Sequence, residues 1–269
     1  MRAPDFLIVG AMKAGTSTLS HFLSRNPRIY MARRELHFFD RDENFEKGMG
    51  WYSRHFESAE SEQLVGEKTP TYSFLPLAAE RIAEVVPDAK LIWIFREPVV
   101  RAYSNYWHAV KNGAEPYSFE RAVELERQGQ ERSLWNYYLK RSRYAEQIRR
   151  FCKWFSLDQM LFLQFERLVS DPHQEVRRVC SFLGVEEGDA PESPGKNRTY
   201  VPRSRKLARF VRVSFGRGKI FRLVARFNRR AEPGYPAMDA SLRESLKRDF
   251  EKPNLELAEL TGLDLTNWQ

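Results

Sequence analysis

Three short apolar runs punctuate the chain: FLIV at Phe6–Val9, KLIWIF at Lys90–Phe95 and MLFLQF at Met160–Phe165. Each is β-prone and too short for a helix, which predicts strands buried on both faces. Between them the apolar spacing shifts to three and four. Leu19, Phe22 and Leu23 predict a helix that follows the first strand closely, so residues 6–25 read strand, loop, helix. The same period predicts helices over Leu75–Val86, Val99–Lys111, Phe119–Glu126, Leu134–Phe155 and Gln174–Leu183, the last of them stopped by Gly184. Trp51, Tyr52 and Phe56 predict a further short one. LVGEKTPTY at Leu64–Tyr72 predicts a brief strand ended by Pro70, Arg28–Met31 is a short extended piece, and Arg33–Asp40 is aperiodic, as in a loop. A final helix is predicted over Asp239–Thr261, with Asp239 or Ser241 as N-cap. Strands alternating with helices predict an α/β fold: one P-loop-like, three-layer domain over residues 1–269, with a mainly parallel sheet and helices on both faces.

The turn after the first strand carries the first chemical signal. Gly10 and Gly15 permit a tight turn, Lys13 puts a charge at its centre, and Ala14 leads into Thr16, Ser17 and Thr18. Those three bring hydroxyls and free N–H groups to the positive end of a helix, a setting that stabilises an anion. In a Walker A loop the Lys follows the second Gly and a Ser or Thr remains for magnesium. Here Lys13 precedes Gly15, which disfavours a kinase or ATPase. The bland alternative is an ordinary βα turn with capping residues only. Lys68 and Arg96 also end or follow predicted strands, and ligands of open parallel sheets bind beyond the carboxyl ends of the strands. Three cations on one edge point to a polyanionic ligand. Ser104, two turns into the helix after Arg96, can share one phosphate with it.

Charge changes the picture in one place. Gly195–Arg230 holds thirteen Lys and Arg and no Asp or Glu, leaving 31 basic against 36 acidic residues elsewhere, so this segment alone makes a net −5 chain basic overall at +8. Ile220, Leu223, Val224 and Phe227 fall on one helical face there, with Arg222, Arg226 and Arg229 largely on another. An anionic partner is implied, and a solvated helix or mobile loop is the plain alternative. No run is long and apolar enough for a bilayer span, and the chain passes from Met1 almost directly into its first strand, so a cytoplasmic protein is expected. Cys152 and Cys180 sit in apolar helical surroundings and are expected to be buried free thiols, with no metal site.

Four motifs in order resemble the sulfotransferases that use 3′-phosphoadenosine 5′-phosphosulfate (PAPS), in particular a bacterial-type member of the heparan sulfate sulfotransferase branch. KAGTSTL at Lys13–Leu19 looks like that family's 5′-phosphosulfate loop, and RELHFFD at Arg34–Asp40 looks like its catalytic segment. EKTPTY at Glu67–Tyr72 is similar to its EKTPAY, and REPVVRAYSNYW at Arg96–Trp107 to its 3′-phosphate segment. The closing helix and Trp268 are also similar. The resemblance implies that Lys13 and the backbone of Ala14, Gly15, Thr16, Ser17 and Thr18 hold the 5′-phosphosulfate, and that Arg96 and Ser104 hold the 3′-phosphate. It implies Glu35 as general base, His37 and Lys68 orienting the acceptor and offsetting charge, PAPS as donor, PAP as product and no metal. By residue type alone Glu35 would sooner be an ion-pair partner of Arg33 or Arg34, and His37 a packed histidine. The 3-O-sulfotransferases also carry a disulfide-linked hairpin and a KGR-type loop in the C-terminal part. This chain has NRTYVPRSRK at Asn197–Lys206 and a basic helical insertion at about 195–235 instead, which leaves the loop's role to Arg229 or Arg230. The expected acceptor is a hydroxyl, with an amine second, on a carbohydrate, glycolipid or small metabolite. Residues 203–230 are a candidate membrane-surface contact, and no nucleic acid is expected. The alternatives are a non-catalytic binder of anionic polymer and an ATP-dependent P-loop kinase.

Overall fold

The computed structural model describes residues 2–188, 200–230 and 234–268. Five strands are described: β1 (Phe6–Gly10), β2 (Ile29–Met31), β3 (Leu64–Lys68), β4 (Lys90–Phe95) and β5 (Met160–Gln164). The helices are α1 (Thr16–Leu23), α2 (Asp42–Phe45), α3 (Gly48–Ser53), α4 (Pro76–Val85), α5 (Pro98–Lys111) and α6 (Phe119–Arg127), then α7 (Tyr144–Phe151), α8 (Phe165–Ser170), α9 (Pro172–Leu183), α10 (Arg205–Phe215), α11 (Lys219–Phe227) and α12 (Ala240–Thr261). Contacts divide the chain into two compact units, Met1–Arg96 with Tyr144–Gly195 and Leu255–Leu265, and Glu97–Arg143 with Lys196–Asn254 and Thr266–Gln269.

The first unit is built on one sheet in the order β2-β3-β1-β4-β5, every pairing parallel. Phe6, Leu7, Ile8 and Val9 are fully buried, as are Leu91 to Phe95, which is why these strands read as unbroken apolar runs. The extended piece at residues 28–31 becomes the edge strand β2. β3 stops at Lys68, two residues short of Pro70: the Thr69 amide makes the last ladder bond, to the Ile8 carbonyl at 3.2 Å, and the chain then turns, the Tyr72 amide donating to the Thr69 carbonyl at 3.1 Å. Gly184 ends α9 in the left-handed conformation, φ 80°, as its position after Leu183 predicts. Cys180 is buried, but Cys152 follows the last residue of α7 and is exposed, against the expectation of two buried thiols.

The second unit has its core where Val99, Ala102, Tyr106 and Val110 of α5 meet Phe119 and Val123 of α6 and Leu246 and Phe250 of α12. The long helix expected over Leu134–Phe155 does not form. Buried Glu126 accepts the backbone N–H groups of Tyr138 at 2.7 Å, Leu139 at 3.0 Å and Lys140 at 2.8 Å, and Arg101 donates to the Tyr138 carbonyl at 2.6 Å. Side chains from α5 and α6 thus satisfy the backbone groups a helix would have used. Two single 3-10 turns, Leu134–Asn136 and Lys140–Ser142, stand before α7 instead. Asp239 caps α12, accepting from the Leu242 amide at 2.9 Å. Residues 189–199, which include the first residues of the basic segment, lie outside the described residues. Among the described residues no helix is long and apolar enough to cross a membrane.

Candidate active site

The site on the first unit forms where β1, β3 and β4 end. After β1 the chain turns through Lys13, φ 73°, and Gly15, φ 91°, into α1. A Cβ on Gly15 would lie 2.6 Å from the ring of Phe165, so both the conformation and the space require glycine there. Gly15 is also the N-cap of α1 and offers no side chain to the first turn. The Thr18 amide donates to the Gly15 carbonyl at 2.9 Å, so the N–H groups ahead of it, of Thr16 and Ser17, are the ones left to a ligand or to solvent. Arg96, at the exit of β4, donates to the Lys13 carbonyl at 3.3 Å and stacks its guanidinium 4.4 Å over the Phe165 ring. Tyr144 donates to the Arg96 carbonyl at 2.8 Å. Lys68, at the exit of β3, donates to the Ser17 hydroxyl at 3.1 Å, so a cation stands at each side of the loop.

Lys68 also reaches Glu35, at 2.7 Å. His37 closes the cluster: its Nε2 is 3.6 Å from Glu35 Oε2 and its Nδ1 3.0 Å from Asp40 Oδ2. Thr71 donates to Asp40, and its hydroxyl lies 3.4 Å from His37 Nδ1. The imidazole is held between two carboxylates. Burial works against its charge, but the hydrogen bonds to Asp40 and Glu35 outweigh it and raise the pKa to about 9. Burial pushes the Glu35 carboxyl up, yet the bond from His37 and the Lys68 charge hold it down at about 2. At neutral pH the cluster is therefore a carboxylate between an imidazolium and an ammonium. His37 has φ 52° and, with Lys13, is one of two non-glycine residues in the left-handed region among the described residues. Backbone of this kind costs free energy and persists where surrounding structure enforces it, most often at functional sites.

A buried polar layer does that enforcing. Tyr52 and Tyr72 both donate to Glu67 Oε1 at 2.8 Å, Thr69 donates to Glu67 Oε2 at 3.2 Å, and the His37 amide meets the Thr69 hydroxyl at 3.5 Å. The Tyr72 hydroxyl accepts the Phe38 amide at 3.0 Å. Burial raises the Glu67 pKa to about 7, against the pull of the Tyr72, Tyr52 and Thr69 bonds. The segment Glu67–Tyr72 thus holds the loop that carries Glu35 and His37.

Lys13, Ala14, Gly15, Thr16, Ser17, Thr18, Glu35, His37, Lys68 and Arg96 all belong to this unit. Ser104 belongs to the other, where its buried hydroxyl is 3.2 Å from that of Tyr235. Motif reading missed Asp40, Thr71, Glu67, Tyr52 and Tyr72 as supports, although four of the five stand inside the segments Arg34–Asp40 and Glu67–Tyr72. The signal was there as residue identity, but their partnerships appear only on folding.

Residues 3–201 match the family described as sulfotransferase domain. Heparan sulfate glucosamine 3-O-sulfotransferase 3B1 of Mus musculus is 37% identical over 183 residues, 68% of this chain and 46% of that protein. The chain thus spans about half the length of that curated relative. Heparan sulfate glucosamine 3-O-sulfotransferase 5 of the same species is 28% identical over 276 residues, 98% of this chain and 74% of that protein. The crystal structure of a sulfotransferase from Alicyclobacillus acidocaldarius superposes with a TM-score of 0.74 at 30% identity, covering 100% of this chain and 99% of that one. A sulfotransferase domain from the curacin biosynthetic pathway shares the fold, with a TM-score of 0.52 at 14% identity over 93% of this chain and 99% of that one.

Proposed function

The chain belongs to the sulfotransferase domain family, and on that premise we propose that it moves a sulfuryl group from PAPS to a hydroxyl of a sugar-bearing acceptor, releasing PAP. The observation that carries this reading is the position of Lys68, whose ammonium lies 2.7 Å from the Glu35 carboxylate and 3.1 Å from the Ser17 hydroxyl. One cation thereby links a base to an anion cradle. The residues fit the donor: a helix N-terminus, hydroxyls and the cations Lys13 and Lys68 match its phosphosulfate, and Arg96 its 3′-phosphate, in charge and in hydrogen-bonding sense. When bound, PAPS supplies an activated sulfuryl group. The chain's own residues supply the rest. The loop Lys13–Thr18 binds anionic oxygens, Arg96 reads the 3′-phosphate, and Glu35 takes the proton from the acceptor hydroxyl.

Glu35 at about 2 is a weak base, and base strength matters to proton transfer. The geometry supplies the remedy. Lys68 sits between Glu35 and Ser17, so an anion seated on the α1 N-terminus competes for the ammonium, and each step of Lys68 toward it withdraws a charge that holds the carboxyl down. His37 keeps its proton and orients Glu35. The names of the relatives place glucosamine of heparan sulfate as acceptor for those proteins. For this chain we take from them the class, a sugar hydroxyl.

Calorimetric titration with PAP, ADP and ATP, each with and without magnesium, tests the reading. Magnesium-independent binding of PAP in preference to ADP is expected, since only PAP offers a 3′-phosphate. Equal affinities, or none, overturn it. Arg96→Ala weakens PAP binding by about 10–100-fold while leaving ADP nearly unaffected, in keeping with the loss of one charge-assisted contact. An unchanged PAP affinity removes Arg96 from the site.

The pH profile of kcat/KM follows from the free cluster. With Glu35 at about 2 and His37 at about 9, the rate stays level from mildly acidic pH through neutrality and falls on the alkaline side as His37 loses its proton near 9. His37→Asn shifts or removes that alkaline limb. An acid limb near pH 6–7 in the wild type would identify a different base.

A further inference from the structure

Helices α10 and α11 of the second unit each present three faces. Ala208 and Val211 of α10 and Phe221 and Val224 of α11 point inward and line one small cavity with Tyr200. Beside them Gly113, φ 66°, lets α10 approach so closely that an added Cβ would meet the Ala208 carbonyl and the Arg212 side chain. The inward faces therefore account for the packing. A second set of apolar residues remains outside. Leu207, Phe210 and Val213 recur along α10 at three-residue spacing, and Ile220, Leu223 and Phe227 recur along α11 at three and four. Phe210 is 62% exposed, Val213 72%, Leu223 60% and Phe227 73%. With Phe215, residues 207–227 supply seven of the thirteen large exposed hydrophobic side chains among the described residues, so this is a concentration and not the scatter usual on protein surfaces.

The third face is basic. Arg209 and Arg212 flank the outer stripe of α10, Lys206 falls within it one turn before Phe210, and Lys219, Arg222 and Arg226 flank the stripe of α11. Residues 200–230 hold eleven Lys and Arg and no Asp or Glu. The combination narrows the occupant. A soluble polyanion would be met by the charges alone and gains nothing from exposed Phe, Leu and Ile. A second copy of the same face would bring two strongly positive surfaces together. An anionic bilayer satisfies both features: headgroups neutralise the arginines, whose long stems lie along the interface, while the apolar stripe enters the headgroup and acyl boundary.

We propose that the paired helices α10 and α11 dock the protein on a membrane surface rich in anionic lipid. The inference is independent of the transfer chemistry, since none of these residues belongs to the donor or base site. Flotation with vesicles of phosphatidylcholine alone, or mixed with phosphatidylglycerol, tests it on the full chain. The wild type is expected to float with the anionic vesicles and only weakly with neutral ones, and to be released as salt rises. Arg209→Gln with Arg222→Gln and Arg226→Gln weakens vesicle binding by on the order of 100-fold. Phe210→Ser with Leu223→Ser and Phe227→Ser keeps every charge yet weakens it by on the order of 10–100-fold. All six residues are exposed, and an unchanged PAP titration and circular dichroism spectrum confirm that the variants fold. No flotation with anionic vesicles overturns the proposal. So does binding that survives the serine triple, which marks a purely electrostatic polyanion surface, or a serine triple that dissociates a dimer in lipid-free solution.

Discussion

Glu35→Gln is expected to lower kcat by roughly 10²–10⁴-fold while leaving PAP affinity within about twofold of the wild type. The substitution preserves the shape of the side chain and one of its two acceptor oxygens, so a bond to Lys68 or to His37, which now lie 2.7 and 3.6 Å from its two carboxylate oxygens, is kept but not both. It removes the capacity to take a proton. The cradle from Lys13 to Thr18 and Arg96 is untouched, so binding of the product nucleotide reports on the site independently of turnover. Equal loss of binding and rate would make Glu35 a structural ion-pair partner, the role that the neighbouring Arg33 and Arg34 suggest from composition alone. A rate that survives would shift the base elsewhere. Lys68→Ala makes an informative companion, because it frees Glu35 from the nearest positive charge. Its carboxyl then titrates at higher pH, and an acid limb moves up into the measurable range of the activity profile even as the rate falls.

The second large effect is on stability. Glu115→Ala is expected to destabilise the protein by about 3–5 kcal/mol, read from the midpoint of urea unfolding at constant m. The Glu115 side chain is fully buried and meets Arg132 at 2.5 Å, Tyr138 at 2.6 Å, Asn136 at 2.9 Å and the Tyr117 amide at 3.0 Å. Removing it strands the guanidinium of Arg132, itself 6% exposed, together with three further donors. An unpaired buried charge costs more than the pair gains, so the direction does not depend on the net worth of the ion pair. Loss of less than about 1 kcal/mol would mean that water reaches the site. The consequence for function runs through α5. Arg101 and Asn105, both buried, tie that helix to the irregular segment 134–142 through Ser142 at 2.7 Å and the Trp135 carbonyl at 2.9 Å. Ser104 lies between them in sequence, so loosening this layer displaces the residue for which the family resemblance implies a 3′-phosphate contact.

Glu35 is 37% exposed, where an acceptor can reach it, while the groups that hold its loop are interior: Glu67, Thr69 and Tyr72 are buried and Asp40 is 3% exposed. Exposed chemistry on a buried polar support explains how His37 can keep left-handed backbone without glycine.

Local physics by itself determined the strands, the turn and the cations at their ends. Runs such as FLIV and KLIWIF must be buried on both sides, Gly10 and Gly15 must turn, and Lys68 and Arg96 must stand where strands stop, because these follow from side-chain hydrophobicity and backbone sterics within a few residues. The four ordered motifs made the proposed donor loop and base legible for the same reason: each lies within one short segment. Only the tertiary structure decided what depends on partners far apart in sequence. It broke the helix expected at Leu134–Phe155, because Glu126 and Arg101 take its backbone groups. It exposed Cys152, which no longer lies within a helix. It turned Ile220, Leu223 and Phe227 outward while Phe221 and Val224 turned in, a choice that a single amphipathic period cannot make because both sets are apolar. It also set Lys68 between Glu35 and Ser17, 33 and 51 residues away, where its charge helps to lower the pKa of Glu35. Electrostatic coupling depends on distance in space, and three-dimensional packing alone supplies that distance.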